Sequence, residues 1–279
     1  MSSDVQDPEE HFGMFEAAVH ASPVELSDPT LSSIVAVLDA SNQDETVKLF
    51  AEILAKKTKA KSHVQSLPEA TAPDILKLCK EQKADVLVVP VPFARDIADL
   101  KDESLGSVID LLLQETRCPM LCVRQPMDRE TVETTFGDVI VPLLEHEEEH
   151  VSSANWAFRV LNDPGALEVL GVANRDLIKE AQHLLGIEAD SEQLRTEALN
   201  RSVTRDIGGL VSAIHKKAEQ ASVSVSVEVR VGHPTEVTLE HANARPRLIV
   251  VSSSQDHTAM SYHQMTDLIL GANGPVLVT

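Results

Sequence analysis

Ser33-Ile34-Val35-Ala36-Val37-Leu38-Asp39 is an apolar run that ends in an acid, and Asp138-Val139-Ile140-Val141-Pro142-Leu143-Leu144-Glu145 repeats this pattern later in the chain. Each run is followed by a polar stretch and then by apolar residues at helical spacing. Apolar runs without polar alternation are typical of strands buried on both faces of a parallel sheet. The two runs therefore predict two buried parallel strands, each of which opens a series of strands and helices.

In each half of the chain the opening strand is followed by two further strand patterns with a helical pattern between them. The matching strands are Ala84–Val89 with Arg247–Val251 and Cys118–Val123 with Gly274–Val278, and the helical patterns are about Ser104–Thr116 and Met260–Leu270. The same elements in the same order indicate an internal duplication. Strands that alternate with helices predict an α/β fold of two tandem Rossmann-like domains. Each should have a mainly parallel sheet of the five-stranded type, with helices on both faces.

The two halves differ in length. The second half carries an additional apolar strand at Leu167–Val172 and two further helical patterns, around Leu177–Leu185 and Val203–Ala218. The first half has nothing equivalent between its first helix, about Asp44–Lys59, and its next strand, about Lys61–Leu67. We infer that the first domain is shortened by one strand–helix unit.

These patterns divide the chain into four parts. Residues 1–31 form an N-terminal tail with a short amphipathic helix, and residues 32–124 form the shortened first domain. Residues 125–136 are a polar linker, and residues 137–279 form the second domain. We expect the tail helix to pack on the folded domains and to cover the surface that the missing strand–helix unit leaves exposed.

Composition argues against several classes of function. The 279 residues carry a net charge of −20 at pH 7, and no run of Lys and Arg offers the cations that nucleic-acid phosphates require. The sequence has no apolar run of about 18 residues and no secretory signal. We therefore expect a cytoplasmic protein that neither binds nucleic acid nor inserts into a membrane. The three cysteines lack the spacing of a zinc site and are interpreted as reduced structural residues.

Several of these segments resemble universal stress proteins. Val35-Ala36-Val37-Leu38-Asp39-Ala40-Ser41 is similar to the opening strand of that family, and Ala84–Val89 to its fourth strand. Leu105-Gly106-Ser107-Val108 with Arg117–Val123 resembles the closing helix and the fifth strand, and Val229-Arg230-Val231-Gly232-His233-Pro234 resembles the third strand and its turn. The resemblance covers most of residues 32–279 and implies the fold of the adenine-nucleotide α-hydrolases.

The resemblance also implies a nucleotide site in the first domain, at Asp39, Val88, Gly106 and Ser107. Nucleotide-binding members of the family carry a Gly-x2-Gly-x9-Gly-Ser/Thr loop, whose glycines let backbone N–H groups approach phosphates at a helix N-terminus. Gly106-Ser107 matches the end of this motif, but Phe93 and Asp96 stand where the earlier glycines belong. We therefore expect degenerate sites without a resident cofactor, and binding of ATP or AMP through the first domain is the alternative.

Two polar clusters in the second half suggest other chemistry. His146-Glu147-Glu148-Glu149-His150 spells the HExxH pattern of zinc hydrolases, and Ser252-Ser253-Ser254 with Asp256 and His257 has the residue types of a hydrolase triad. The acids of the first cluster also suit the start of a helix after a strand, and no Gly-x-Ser-x-Gly elbow surrounds the second. We prefer these structural interpretations and assign no catalytic or metal-binding residue.

The remaining histidines show no spacing that converges on one site. They are His215, His233, His241 and His263. We interpret all four as surface or loop residues.

The resemblance implies a non-enzymatic stress-response or regulatory protein that acts through association with other proteins. We expect the two domains to pair as an intramolecular pseudo-dimer through the edge strands Met120–Val123 and Val276–Val278, which need cover. One undivided sheet would count against this pairing. We also expect that two such chains can associate through apolar surface left by the missing unit. The alternatives are an adenine-nucleotide sensor and a metal-dependent hydrolase built on His146, Glu147 and His150.

Overall fold

The described residues form one nine-stranded, mostly parallel sheet with four helices packed on each face. A computed structural model describes residues 24–94, 105–143, 147–174, 208–252 and 259–279. Along the chain the elements are β1 (Ser33–Leu38), α1 (Asp44–Thr58), β2 (Lys61–Ser66), α2 (Ala72–Gln82), β3 (Val86–Pro90), α3 (Ser107–Glu115), β4 (Met120–Val123), α4 (Arg129–Thr135), β5 (Asp138–Leu143), α5 (Glu147–Val160), β6 (Gly165–Asn174), α6 (Gly208–Ala218), β7 (Val223–Gly232), α7 (Pro234–Ala242), β8 (Leu248–Val251), α8 (Ala259–Gly271) and β9 (Val276–Val278). The predicted α/β fold class is confirmed.

The sheet has one antiparallel junction. The strand order is β2-β1-β3-β4-β9-β8-β5-β6-β7, and β4 pairs with β9 in antiparallel register, with Leu121 opposite Leu277. Every other pair of neighbours is parallel. The sheet is therefore undivided, which we had expected to count against pairing of two domains. An undivided sheet does not decide between the two cases, because two domains that pair through edge strands also form one continuous sheet. The reversed strand direction between β4 and β9 is compatible with such a pair.

The strands on the two sides of the junction repeat in the same order. Moving outward, β4, β3, β1 and β2 on one side correspond to β9, β8, β5 and β6 on the other, where β7 follows as a fifth strand. Among the described residues no strand beyond β2 corresponds to β7. The first half is therefore shortened, as the sequence predicts, but at a different place. Because β2 pairs with β1 as β6 pairs with β5, the strand absent from the described residues is the outermost one, equivalent to β7, and not one that precedes Lys61.

The edge left by the shortening is polar. In β2 the sequence is Lys-Ser-His-Val-Gln-Ser, and five of its six residues are exposed. Val64 is the large apolar side chain exposed there, at 43% of its surface. We expected two chains to associate through apolar surface left by the missing unit. The described strand β2 offers little such surface, since it is itself suited to solvent.

The chain before β1 lies against helices of the second half. Val24 and Leu26 pack on one apolar core, the N–H of Ser27 donates to Oδ1 of Asn155 at 2.8 Å, and Lys217 Nζ lies 2.6 Å from Asp28 Oδ1. Asn155 belongs to α5 and Lys217 to α6, so this segment crosses from one half to the other. The helix predicted within residues 1–31 lies outside the described residues.

The segment predicted as a polar linker contains a short helix. Asp128 precedes α4 and its carboxylate accepts a hydrogen bond from the N–H of Thr131 at 2.9 Å, which is a standard N-terminal cap. Val132 is buried, and the N–H of Met127 donates to Oγ1 of Thr46 on α1 at 2.8 Å. Residues 125–136 are therefore packed against the first half rather than being an open connection.

Two apolar cores lie on opposite faces of the sheet. One lies under α1, α4, α5 and α6, and the other under α2, α3, α7 and α8. In the first core the rings of Phe50 and Phe136 meet edge to face with centroids 5.6 Å apart. Phe50 comes from the first half and Phe136 directly precedes the second, so the core is shared.

No helix in the described part of the chain is long and apolar enough to cross a membrane.

Lys57 ties the end of α1 to the end of α5. Its Nζ donates to the carbonyl oxygen of Val160 at 2.6 Å and to Oδ1 of Asn162 at 3.1 Å. Burial, helped by the nearby charge of Arg159 and opposed by that of Asp163, lowers the pKa of Lys57 from 10.5 to about 8. A lysine held in this way makes the stability of the contact depend on pH.

Replacing Lys57 by methionine should remove a rise in stability at alkaline pH. The folded chain releases this proton near pH 8 and the unfolded chain near pH 10.5, so the unfolded state binds more protons between these values. The free energy of unfolding therefore increases with pH in that interval and is lowest below it. Urea denaturation at intervals from about pH 7 to about pH 10 measures the effect.

Lys56→Met is the matched control, because Lys56 is the exposed neighbour on the same helix. This variant should keep the wild-type pH profile. A wild-type rise that persists unchanged in Lys57→Met would show that another group is responsible.

Candidate functional site

The carboxyl end of β1 carries the acid that the sequence places in a nucleotide site. Asp39 is 6% exposed. Its Oδ1 accepts from the N–H of Ser41 at 3.1 Å, and its Oδ2 accepts from the N–H of Ala94 at 2.6 Å. Both carboxylate oxygens are thus bound to backbone donors of this chain.

Asp44 fixes the turn in which Asp39 lies. Its two carboxylate oxygens accept from the N–H groups of Asp39 and Ala40 at 3.1 and 3.2 Å, and Ala40 has a positive φ of 67°. Burial raises the pKa of Asp44, and the adjacent charge of Asp39 raises it too, against the two backbone hydrogen bonds. The two acids therefore hold a tight turn between β1 and α1.

The segment after β3 folds inward over this turn. Val91 and Phe93 are buried, at 0% and 3% exposure, in the core under α2 and α3. The side-chain amide of Gln43 donates to the carbonyl oxygens of Val91 at 3.3 Å and Arg124 at 3.1 Å. These contacts bring the N–H of Ala94 to Asp39, so the segment occupies space beside the predicted ligand-binding acid.

The other predicted site residues are distributed over two elements. Val88 is fully buried in β3, between β1 and β4. Gly106 precedes α3 with φ of +93°, a conformation that side chains rarely adopt, and Ser107 is the exposed first residue of that helix. The structure therefore preserves the glycine and helix start of the motif. Asp96 and the rest of residues 95–104 lie outside the described residues.

At the corresponding end of the second half, hydroxyl groups bind one another. Ser252 follows β8, and its Oγ lies 2.5 Å from Oγ of the fully buried Ser153 on α5. The hydroxyl of Thr279 lies 3.5 Å from Ser252 and 3.3 Å from Ser152. His150 is buried on the same helix. Glu145, His146 and residues 253–258 lie outside the described residues, so the hydrolase interpretations built on them are predictions that the structure does not address.

A network of ion pairs lies toward the amino ends of β5, β6 and β8. Arg247, only 5% exposed, donates to Asp138 Oδ1 from Nε at 2.9 Å and to Glu168 Oε2 from Nη1 at 2.7 Å. Nδ1 of His241 lies 2.8 Å from Glu168 Oε1 and 3.6 Å from Glu228 Oε2. Arg245 also contacts Asp138, and Arg230 contacts Glu228.

This network corrects the interpretation of His241 as a surface residue. Its side chain is 19% exposed and lies between two carboxylates. The sequence carries one signal of such a site, which is an acid, Glu168, inside the apolar run Leu167–Val172. A charge there requires a buried partner, and that partner is 79 positions away at Arg247.

The network also determines the ionisation of Glu168. Burial opposes the charged form, but the hydrogen bond and charge of Arg247, together with those of His241, outweigh it and lower the pKa of Glu168. The carboxylate therefore stays ionised although only 14% of the side chain is exposed to solvent. Such a group contributes stability above the pKa of unfolded glutamate and loses it as the pH falls through the lower folded value.

Comparisons with known proteins identify the fold at low sequence identity. No family model and no curated protein matches the sequence. A universal stress protein from Archaeoglobus fulgidus is 16% identical with a TM-score of 0.51, and the match covers 89% of this chain and 85% of that one. A protein of unknown function from Pseudomonas aeruginosa is 11% identical with a TM-score of 0.57, over 89% and 92% of the two chains. At such identity the likeness concerns the fold alone: this chain has the fold of a universal stress protein.

Replacing Asp39 by alanine should destabilise the protein by about 1–3 kcal/mol, because the N–H groups of Ser41 and Ala94 lose their acceptor. Chemical denaturation measures the change. Glu45→Ala is the control, since that side chain is 80% exposed and its loss should cost no more than about 0.5 kcal/mol. Equal effects of the two substitutions would contradict the anchoring role of Asp39.

Two arginines that contact the same acid should differ sharply in their effect on stability. Arg247→Ala leaves Glu168 and Asp138 without their buried partner and should cost about 3–5 kcal/mol. Arg245→Ala should cost at most about 1 kcal/mol, because its side chain is 64% exposed. Urea denaturation of both variants tests the difference, and similar losses would mean that burial does not control the strength of these pairs.

Proposed function

We propose that this chain is a tandem universal stress protein that acts in a stress response or in regulation by associating with other proteins, without catalysis. Two units, residues 32–124 and 137–279, are connected by residues 125–136. The repeated strand order on the two sides of the β4–β9 junction supports this division. The pairing of these strands within one chain is then the pseudo-dimer expected for the family.

The observation that carries the proposal is the hydrogen bond between Ala94 and Asp39. The resemblance gives Asp39 the adenine side of the nucleotide, but here its Oδ2 accepts from Ala94 at 2.6 Å. The segment that supplies this donor buries Val91 and Phe93. It contains Pro92, and Phe93 and Asp96 stand where the family's loop has glycines. Proline offers no N–H to a phosphate. These features favour a degenerate site over a nucleotide-binding one.

Association is the role that the architecture then favours. In the described part of the chain, β2 and β7 each pair on one side only. Outer strands of this kind present backbone N–H and C=O groups on which another chain can add a strand. A second copy of this chain is one such partner, and a different protein is another.

An adenine-nucleotide sensor is the second candidate function. It is favoured by Gly106, which directly precedes α3, as the motif requires. The positive φ of +93° at this residue is a conformation that suits glycine. Asp39 and Ser107 would act with it. Binding would require the segment of Ala94 to leave the carboxylate of Asp39.

Calorimetric titration of ATP and AMP, with and without magnesium, separates the two candidates. Degenerate sites predict no measurable heat for either nucleotide up to about 1 mM. A dissociation constant of about 1 mM corresponds to a binding free energy of only about 4 kcal/mol. The sensor predicts micromolar binding that is lost in both Asp39→Ala and Ser107→Ala. Glu45→Ala, an exposed acid on the adjacent helix, should retain any such binding and serves as the control. Binding with this pattern would overturn the proposal.

A further inference from the structure

Three potential metal ligands converge at the half-buried ion network. They are Nδ1 of His241 on α7, Oε1 of Glu168 on β6 and Oε2 of Glu228 on β7. One ligand atom of each residue lies within 4.8 Å of those of the other two. The two carboxylate oxygens lie 2.8 and 3.6 Å from the imidazole nitrogen. Ligands of a tetrahedral zinc ion, with bonds near 2.0 Å, are separated by about 3.3 Å, so small adjustments bring this set to coordination distance.

Each carboxylate has its second oxygen held by an arginine. Arg247 donates to Glu168 Oε2 at 2.7 Å, and Arg230 contacts Glu228 Oε1. The remaining oxygens, Glu168 Oε1 and Glu228 Oε2, are the two that face His241. Hydrogen bonds of this kind from outside the ligand set orient carboxylates in protein metal sites and are part of what determines affinity.

The ligands stand on a rigid support. Glu168 is in register with Ile140 of β5, and Glu228 is in register with Leu170 of β6, two residues further along the same sheet face. Both strands are ten residues long and paired along their whole length. His241 is fixed from above by α7, which packs on this face. The three side chains are therefore positioned by the fold and not by a loop.

We propose that Glu168, Glu228 and His241 form a binding site for a divalent transition-metal ion, with Zn²⁺ as the best match. One imidazole and two carboxylates are ligands that zinc accepts, and three protein ligands leave a coordination position for water. Calcium prefers six to eight oxygen ligands and magnesium an octahedral set, so this group suits neither. The site lies near the middle of β6 and β7, where Glu168 is the fourth and Glu228 the sixth of ten residues. It shares no residue with the nucleotide position of the first half and does not depend on the proposed function.

The local charges of the network limit the expected strength of binding. Three acids, Asp138, Glu168 and Glu228, are balanced locally by Arg230, Arg245 and Arg247. The donor geometry, and not a local excess of negative charge, must therefore select the ion, although the net charge of −20 favours cations at long range. We expect a dissociation constant of about micromolar magnitude rather than nanomolar.

Calorimetric titration of Zn²⁺ into the metal-free full chain tests the site. Glu228→Gln and His241→Gln should each weaken zinc binding by at least about tenfold, by analogy with losses at supporting residues of known sites. Two matched controls lie on α7 or at its start: Glu240→Gln and His233→Gln, both at exposed positions. These should bind zinc as the wild type does. Circular dichroism of each variant establishes that it is folded, and the partly exposed Glu228 is the safer substitution.

Zinc binding that is weakened by about tenfold or more in both ligand variants and in neither control supports the site. Absence of zinc binding by the wild type overturns it. Equal binding by all five proteins also overturns it, because the ion would then be held by other residues such as His146 and His150. A folded Glu228→Gln variant that binds zinc normally would exclude this carboxylate as a ligand and with it the three-residue site.

Discussion

The antiparallel pairing of β4 with β9 is the constraint on which the rest of the structure depends. Both strands are short, four and three residues, and completely buried. Alone, each would end a parallel sheet with unpaired backbone groups in an apolar environment, which is costly. Their pairing removes both edges at once and joins the strands of the two halves into one sheet.

The direction of this junction also decides where the helices lie. A two-fold relation across an antiparallel pair keeps equivalent elements on the same face of the sheet. In agreement, the first helices of the two halves, α1 and α5, share one core, and the closing helices, α3 and α8, share the other. Contacts between halves then follow on both faces: Lys57 reaches Val160 on one, and Tyr262 hydrogen-bonds to Asp110 on the other.

What the sequence could predict depended on how local the signal was. The strands at Ser33–Leu38 and Asp138–Leu143 followed directly from apolar runs, because burial on both faces leaves no polar position after the first residue of each strand. The helix at Arg129–Thr135 was missed, since its residues are almost all polar and its main signal is the capping acid Asp128. The order of the strands in the sheet was not predicted, because an apolar run does not identify the strands beside it.

The contacts of the polar sites were even harder to predict from local sequence signals. The absence of glycine after β3 could be read directly, but the donation from Ala94 to Asp39 could not, because 55 positions separate the two residues. Likewise, a buried acid at Glu168 indicated that some partner exists without identifying Arg247. The backbone of Gly274 explains how that arginine is accommodated: a Cβ there would lie 1.9 Å from the carbonyl oxygen of Arg247. Glycine at this position lets the chain entering β9 pass against the residue that holds the network.

The closed segment after β3 sets an energetic condition on any ligand of the first half. To reach Asp39, a ligand must displace the N–H of Ala94, break the contacts of Gln43 with the segment and expose Phe93. Each hydrogen bond contributes about 0.5–1.5 kcal/mol net, and the burial of a phenylalanine side chain about 1.5–3 kcal/mol. Together these terms amount to roughly 3–6 kcal/mol, which reduces the affinity of an otherwise competent site by about two to four orders of magnitude. Asp39 itself has a structural role, because its buried carboxylate requires hydrogen-bond donors and finds them in the N–H groups of Ser41 and Ala94.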